Sequence, residues 1–192
     1  MKQETKYRII EAGARIIHRK GYHHTGIQEI LSAAGVPKGS FYFYFKNKED
    51  FGLQVIEHYD DSYAAMLEPV LGNNDLAPLE KIGHILDFFV GFFDGLDCEC
   101  GCPVGNLSQE MGDLNPAFSS RLTESVEKTA GIYRDLLVQA RDNGDLPDHI
   151  STREMGEFIV SSWHGALVKM KINRSTAPLL LHKKIIMAML KG

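Results

Sequence analysis

Long apolar runs are missing from this chain of 192 residues, and their absence removes one class of protein at once. A bilayer-spanning helix needs roughly 18–20 consecutive apolar residues. The longest candidates are interrupted: Ile85 to Phe93 contains Asp87, and Leu179 to Leu190 contains His182, Lys183 and Lys184. The opening Met1-Lys2-Gln3-Glu4-Thr5-Lys6 leads into an amphipathic stretch, not into the apolar core of a signal peptide. Neither membrane insertion nor secretion is expected. Cysteine is equally scarce. The three present, Cys98, Cys100 and Cys102, are too few and too close together to staple a chain of this length. Their odd number fits reduced thiols in a cytoplasmic protein. Strand signals, internal repeats and low-complexity tracts are nearly absent. There is no nucleotide-binding glycine pattern, and no thiol accompanied by an oriented base and oxyanion donors, as a cysteine-dependent hydrolase or reductase would need. No enzymatic activity and no cofactor are expected.

What remains is an ordinary globular composition, 44% apolar and 24% charged, which excludes wholesale disorder. The net charge of −4 argues against a nucleic-acid binder until its distribution is considered. Residues 1–50 carry nine Lys and Arg against five Asp and Glu, whereas the rest of the chain carries 12 against 20. A basic head on an acidic body implies that only the head meets a polyanion.

Helical spacing dominates. Ile9, Ala12, Gly13, Ile16 and Ile17 mark one face of a helix that ends near Gly21. Thr25-Gly26-Ile27-Gln28 has capping-box spacing before a short helix that stops at Gly35. Gly35-Val36-Pro37 is a turn, and Pro suits the start of a further helix. Asn47 reads as an N-cap for a long helix to about Leu67, and Pro69 to Pro78 as a linker. Helices follow from Leu79 to Phe93, from Asn115-Pro116 to Gly144, from Ser151 to Ile172 and from Ser175 to Leu190, with an irregular stretch between Gly95 and Gly105. The fold class expected is all-α with about nine helices. Phe41-Tyr42-Phe43-Tyr44-Phe45 has high β-propensity, but a lone strand among helices would have nothing to pair with, so a helix is predicted there too.

On a helix at about 100° per residue, Phe41 and Phe45 share an inner face. Gly39, Ser40, Phe43 and Tyr44 fall on the other side, with Lys38 and Tyr42 at the flanks. Exposed aromatics beside lysines point to a binding surface. Short helix, glycine turn and short helix together form a helix-turn-helix plan, whose second helix enters the major groove.

The run from Ala34-Gly35-Val36-Pro37-Lys38-Gly39-Ser40 through Phe45-Lys46-Asn47-Lys48-Glu49-Asp50, with Thr25 to Ile30 before it, closely resembles the DNA-binding signature of TetR-family transcriptional regulators. The resemblance covers about residues 5–51. It implies a helix-turn-helix domain over 1–50 and a helical effector-binding and dimerisation domain over 51–192. It also implies that Thr25 and Gln28 touch phosphate or bases, that Lys38, Gly39, Ser40, Tyr42, Phe43 and Tyr44 enter the groove, and that Lys48 reaches a phosphate. The partner would be a palindromic double-stranded operator, bound by a homodimer joined through its last two helices. Ile159, Trp163, Ala166, Leu167 and Met170 form one apolar stripe for that interface, and Leu181, Ile185, Ile186, Met189 and Leu190 another, with about half of each stripe expected to be buried within the protomer instead. Two positions depart from the family pattern. Pro37 stands where a capping Ser is frequent. Phe43 replaces a Tyr, His or Trp, which removes a polar handle.

In the body, a small-molecule effector is expected against Phe89, Phe92, Asn106, Gln109, Tyr133, Trp163 and His164, a mostly apolar set with a few polar groups for selectivity. Cys98-Glu99-Cys100-Gly101-Cys102-Pro103 leaves three readings open. The thiols fill a helix junction; Cys102 is a thiol sensor near a helix N-terminus, with Cys98 and Cys100 beside it; or the three bind metal with a His such as His84 or His164. The last has neither zinc-ribbon spacing nor an adjacent His, so no metal is expected. Gly-Cys-Pro-Val-Gly-Asn-Leu is similar to a TetR subgroup that includes the electrophile- and oxidant-sensing repressor of N-ethylmaleimide reductase.

Overall fold

The structure, a computed structural model, describes residues 2–191. Among these the backbone forms nine α-helices, one 3-10 turn and no strand, as the helical spacing predicts. The helices are α1 (Lys2–Lys20), α2 (Ile27–Ala33), α3 (Phe41–Tyr44), α4 (Lys48–Leu71), α5 (Pro78–Asp94), α6 (Pro103–Met111), α7 (Pro116–Asp142), α8 (Thr152–Asn173) and α9 (Ala177–Lys191). The 3-10 turn, Lys38–Ser40, leads directly into α3. Among the described residues no helix is long and apolar enough to cross a membrane.

Most boundaries follow local chemistry. Asn47 Oδ1 accepts from the Asp50 amide at 2.7 Å, Asn115 Oδ1 from Ala117 and Phe118 at 2.9 and 3.0 Å, and Ser151 Oγ from Glu154 at 3.3 Å. Each satisfies amides that a helix start leaves without partners. Gly144, at φ +82°, closes α7 with its own amide on Arg141 O and that of Asp145 on Ala140 O, a left-handed glycine stop.

Three expectations need correction. Thr25 does not cap α2: Gly26 holds the N-cap position, and the Thr25 hydroxyl turns back to donate to Gly21 O at 2.6 Å. Pro69 does not end α4, which continues to Leu71. A proline so near a helix end removes only one intrahelical bond, and the linker shortens to 72–77. Residues 38–45 are not one regular helix but a 3-10 turn followed by a single α turn.

The chain packs as two units. Met1–Ala64 with Pro103–Ser125 makes the first, and Ala65–Cys102 with Val126–Gly192 the second. The functional division expected at residue 50 falls inside α4, within the first unit. The first unit's core joins Ile9, Ile17, Ile30, Leu31, Phe41, Phe45, Phe51, Val55 and Ile56 to Leu107, Met111, Phe118 and Leu122 of α6 and α7. Gly13 makes room for it: a Cβ there would stand 2.3 Å from Phe51 Cζ. Asp60 on α4 and Arg121 on α7 form an ion pair of 2.7 Å in this unit, and Ser125 donates to the same carboxylate.

In the second unit α9 packs against α5 and α8. Ile159, Leu167 and Met170 of α8 and Ile186 and Leu190 of α9 are buried within the unit. Trp163 and Ala166 of the α8 stripe are half-buried, so part of each predicted stripe serves the protomer's own core. The exposed apolar residues of α8 are Phe158, Val168 and Ile172, on about the opposite side of the helix. On α9, Leu181, Ile185 and Met189 are exposed, in line with the sequence expectation. Periodicity identifies an apolar stripe but not which surface each of its residues meets.

Candidate nucleic-acid interface

The surface is built from the inside outward. Phe41, Phe45 and Phe51 are fully buried and pack ring against ring, with centroids 5.1 Å (Phe41–Phe45), 5.6 Å (Phe41–Phe51) and 5.0 Å (Phe45–Phe51) apart. A helix turn anchored by its first residue and by the one following its last must present the intervening residues outward. Tyr42 is 71% exposed and Phe43 62%, while Tyr44 is half-buried. Lys38 and Gly39 are also exposed, and Ser40 is half-buried.

Gly39 is informative because nothing inside the protein calls for it. Its φ is not positive, and a Cβ would meet nothing within 4 Å. A glycine that the fold does not need leaves room for something outside it. Gly35 is different: at φ +62° it makes the corner between α2 and the 3-10 turn, and Arg8 pins that corner by donating to Ala34 O at 2.6 Å.

Of the remaining sequence candidates, Gln28 is exposed on α2. Thr25 is only 1% exposed, and its hydroxyl is committed to Gly21 O. Its side chain holds the α1–α2 corner together and is not on the outer surface. Lys48 is half-buried. Its Nζ donates to Tyr22 O at 2.7 Å and lies 4.4 Å from the centre of the Tyr22 ring, and burial lowers its pKa. An ammonium has three N–H donors, so this tie leaves capacity for a phosphate.

Sequence reading missed Glu110. From α6 its carboxylate accepts the backbone amides of Tyr22 and His23, both at 2.8 Å. With Lys48 it fixes the α1–α2 corner from two sides. Gly21, at φ +87°, gives the chain its direction there, and a Cβ would come within 2.9 Å of Glu110 Oε2. Burial, with the Glu49 and Glu110 carboxylates nearby, pushes the Tyr22 phenol up to about 12, so it stays protonated. No local pattern marks a glutamate 88 positions along the chain as the acceptor for these amides.

The sensor candidates lie apart in the chain. Asp97, Cys98 and Cys100 have φ of 51°, 57° and 64°, and Gly101 follows at 73°. Left-handed backbone at non-glycine residues costs of order 1 kcal/mol each. The corner is held by Cys98 N on Phe93 O at 2.9 Å and by the Arg174–Glu99 ion pair at 2.9 Å. Cys98 is buried and its thiol is pushed up, by burial first and then by Asp94 and Asp97. Cys100 and Cys102 are half-buried, and Cys102 immediately precedes α6. None of the three is in a disulfide. Among the described residues no group of three or more His, Cys, Asp or Glu is placed to hold a metal ion.

The residues expected to face an effector divide between the units. Asn106, half-buried, and Gln109, exposed, are on α6 of the first. Phe89 and Tyr133 are buried, Trp163 and His164 half-buried and Phe92 partly exposed in the second. Burial lowers the pKa of His164 and of His182, whose Nε2 shares a hydrogen bond of 2.9 Å with Ser162 Oγ and whose ring lies edge-on to Trp163 at 5.2 Å.

An outward aromatic turn on an aromatic core, reached through a glycine corner and carried on the basic part of the chain, defines a helix-turn-helix DNA-binding protein. Residues 9–55 match the family model of bacterial regulatory proteins of the tetR family, and residues 78–185 the tetracyclin repressor-like C-terminal domain. The chain belongs to the TetR family, and it is a ligand-responsive DNA-binding transcriptional regulator. It is 37% identical to the transcriptional regulator AcuR of Cereibacter sphaeroides over 89% of this chain and 78% of that protein. It is 28% identical to the HTH-type transcriptional repressor NemR of Escherichia coli over 96% and 94%. The crystal structure of a regulatory protein TetR from Rhodobacter sphaeroides superposes with a TM-score of 0.88 at 34% identity, covering 95% of this chain and 97% of that one. Regulators of this family bind DNA operators, act as dimers and answer to small-molecule effectors; these relatives are not enzymes.

Proposed function

We propose that this protein is a repressor that reads a palindromic operator with Gln28, Lys38, Gly39, Ser40, Tyr42, Phe43 and Tyr44 of each protomer. The outward turn of Tyr42 and Phe43 beside an unneeded glycine carries the reading. Lys38 neutralises phosphate, the Tyr42 hydroxyl donates to a phosphate oxygen, and Phe43 offers an apolar face to a thymine methyl. Lys48 adds a phosphate contact through the donors left by its tie to Tyr22. Thr25 takes part only by shaping the corner. Electrophoretic shift on the DNA upstream of its own gene is the direct test. Lys38→Ala should lower the slope of log affinity against log salt by about 0.9 for each phosphate lost. Tyr42→Ala should weaken binding about thirtyfold in a dimer that makes the contact twice, at about 1 kcal/mol each. Unchanged affinity and salt dependence in both variants would refute the contact set.

The protomers join through the exposed apolar faces of α8 and α9, Phe158, Val168 and Ile172 with Leu181, Ile185 and Met189. Six large apolar side chains exposed on two adjacent helices support this reading. Ile185→Glu is expected to sediment as a monomer at micromolar concentration and to lose operator binding. A dimer that persists excludes this face.

The signal acts on the second unit. The few polar groups among its apolar side chains, Trp163 and His164 with Ser162 and His182 close by, suit a small molecule held mainly by apolar contact, with Phe89, Phe92 and Tyr133 as further candidates in the same unit. Asn106 and Gln109 are left out of this set. A covalent signal at Cys102 is the second reading, favoured by its position immediately before α6 and by the resistance of Cys98 to ionisation. Peptide mass analysis after one equivalent of N-ethylmaleimide should find the adduct on Cys102 before Cys98; the reverse order removes the second reading.

A further inference from the structure

The proposed groove surface has one unexplained feature: Phe43 is an exposed ring without a polar atom, at a position where a hydrogen-bonding side chain is usual in the sequence pattern. The structure supplies a charge there from elsewhere. Lys2 Nζ, from the first residue of α1, stands 4.2 Å from the centre of the Phe43 ring. One turn further along α1, Lys6 Nζ lies 5.9 Å from the centre of the Phe45 ring. The faces of both rings attract a cation electrostatically. The two lysines, four residues apart, follow one side of the helix.

The placement of these lysines runs against the helix itself. The N-terminal turn carries the positive end of the helix dipole, where carboxylates are favoured and cations are not. Lys2 occupies that end, with Glu4 the acid of the same turn. The exposed Phe43 ring offsets part of that cost; a polyanion alongside Phe43 would make full use of the charge.

We propose that α1 forms a second row of DNA contacts, in which Lys2, held over the Phe43 ring, delivers to a backbone phosphate the charge that residue 43 itself lacks, and Lys6 extends the row. This rests on the operator-reading surface proposed above. Phe43 then acts as a platform: one part of the ring is free for a base methyl, while the face under Lys2 keeps the ammonium at the edge of the groove.

The experiment uses the full-length protein with any purification tag at the C-terminus, so that the residues around Lys2 are unaltered. The probe is a fluorescent 40-base-pair duplex carrying the sequence that the wild-type protein selects from a random pool. Affinity is measured by anisotropy from 50 to 300 mM salt. Lys2→Gln is expected to reduce the salt slope by about 0.9 per protomer, about 1.8 for the dimer, and Lys2→Arg to restore it. Lys6→Gln should reduce it in the same direction. In a Phe43→Leu background, Lys2→Gln should cost less affinity than in the wild type, because the side chain has lost its platform. Because Lys2 is exposed, unfolding of the variant cannot mimic the result, and an unchanged urea midpoint verifies it. If the wild type selects no duplex, the operator reading itself falls. If the wild type binds and Lys38→Ala lowers the slope while Lys2→Gln does not, only the α1 row is overturned. An equal loss with and without the Phe43 ring overturns the platform.

Discussion

Replacing Phe41 by alanine is expected to destabilise the first unit by about 3–5 kcal/mol, the range for removing a fully buried aromatic side chain, and to abolish operator binding. Phe41 has no solvent exposure and touches Phe45 and Phe51. These contacts are what turn the next residues outward. The loss would appear as a lower urea midpoint and, at the same protein concentration, no shifted DNA band. The neighbouring substitution separates stability from recognition. Tyr42, 71% exposed, can be truncated with a stability change within about 0.5 kcal/mol while DNA affinity falls. Phe41→Ala should thus fail in both assays, and Tyr42→Ala in the DNA assay alone. If Phe41→Ala unfolds no more easily than Tyr42→Ala, the packing account of the recognition turn is wrong.

The second large effect is expected at Asp60. Its carboxylate accepts from Arg121 at 2.7 Å and from Ser125, both on α7, and both partners of the ion pair are largely shielded from water. Removing the acid leaves the guanidinium, in a site with little hydration, with only the exposed Glu124 carboxylate 3.7 Å from its Nη1 as a charge partner. Asp60→Ala should cost about 2–3 kcal/mol, since breaking a buried pair leaves the remaining charge poorly compensated. The exposed pair between Glu11 and Arg15, 2.7 Å long on α1, offers the contrast: Glu11→Ala should cost no more than about 0.5 kcal/mol, because water and salt replace such a contact. Chemical denaturation of both variants measures the difference. Asp60→Ala together with Arg121→Leu should recover part of the loss; no recovery would mean that the pair is not the source.

Much of the head was legible in the sequence for a local reason. Helical spacing alone places Phe41 and Phe45 together and sends Phe43 the other way. A side-chain acceptor at Asn47, Asn115 or Ser151 stabilises a helix start through atoms within three residues, so those ends fall where the sequence marks them. Thr25 failed as a predicted cap and surface contact because its hydroxyl had a competing acceptor, Gly21 O, four residues back. Which acceptor it takes depends on how the α1–α2 corner folds. That corner in turn depends on Glu110, which approaches from a distant segment.

Periodicity, glycine position and charge distribution therefore settled the class of protein: an all-helical chain with a basic helix-turn-helix at its head. All three act over a few residues and can be read in order along the chain. Only the tertiary structure decided which stripe of α8 is buried in the protomer and which is left exposed, that Lys48 turns toward Tyr22, and that Lys2 stands over Phe43. Each of these depends on the direction in which a second helix arrives. Burial and electrostatics depend on distance in space, and between segments far apart in the chain that distance exists only once it has folded.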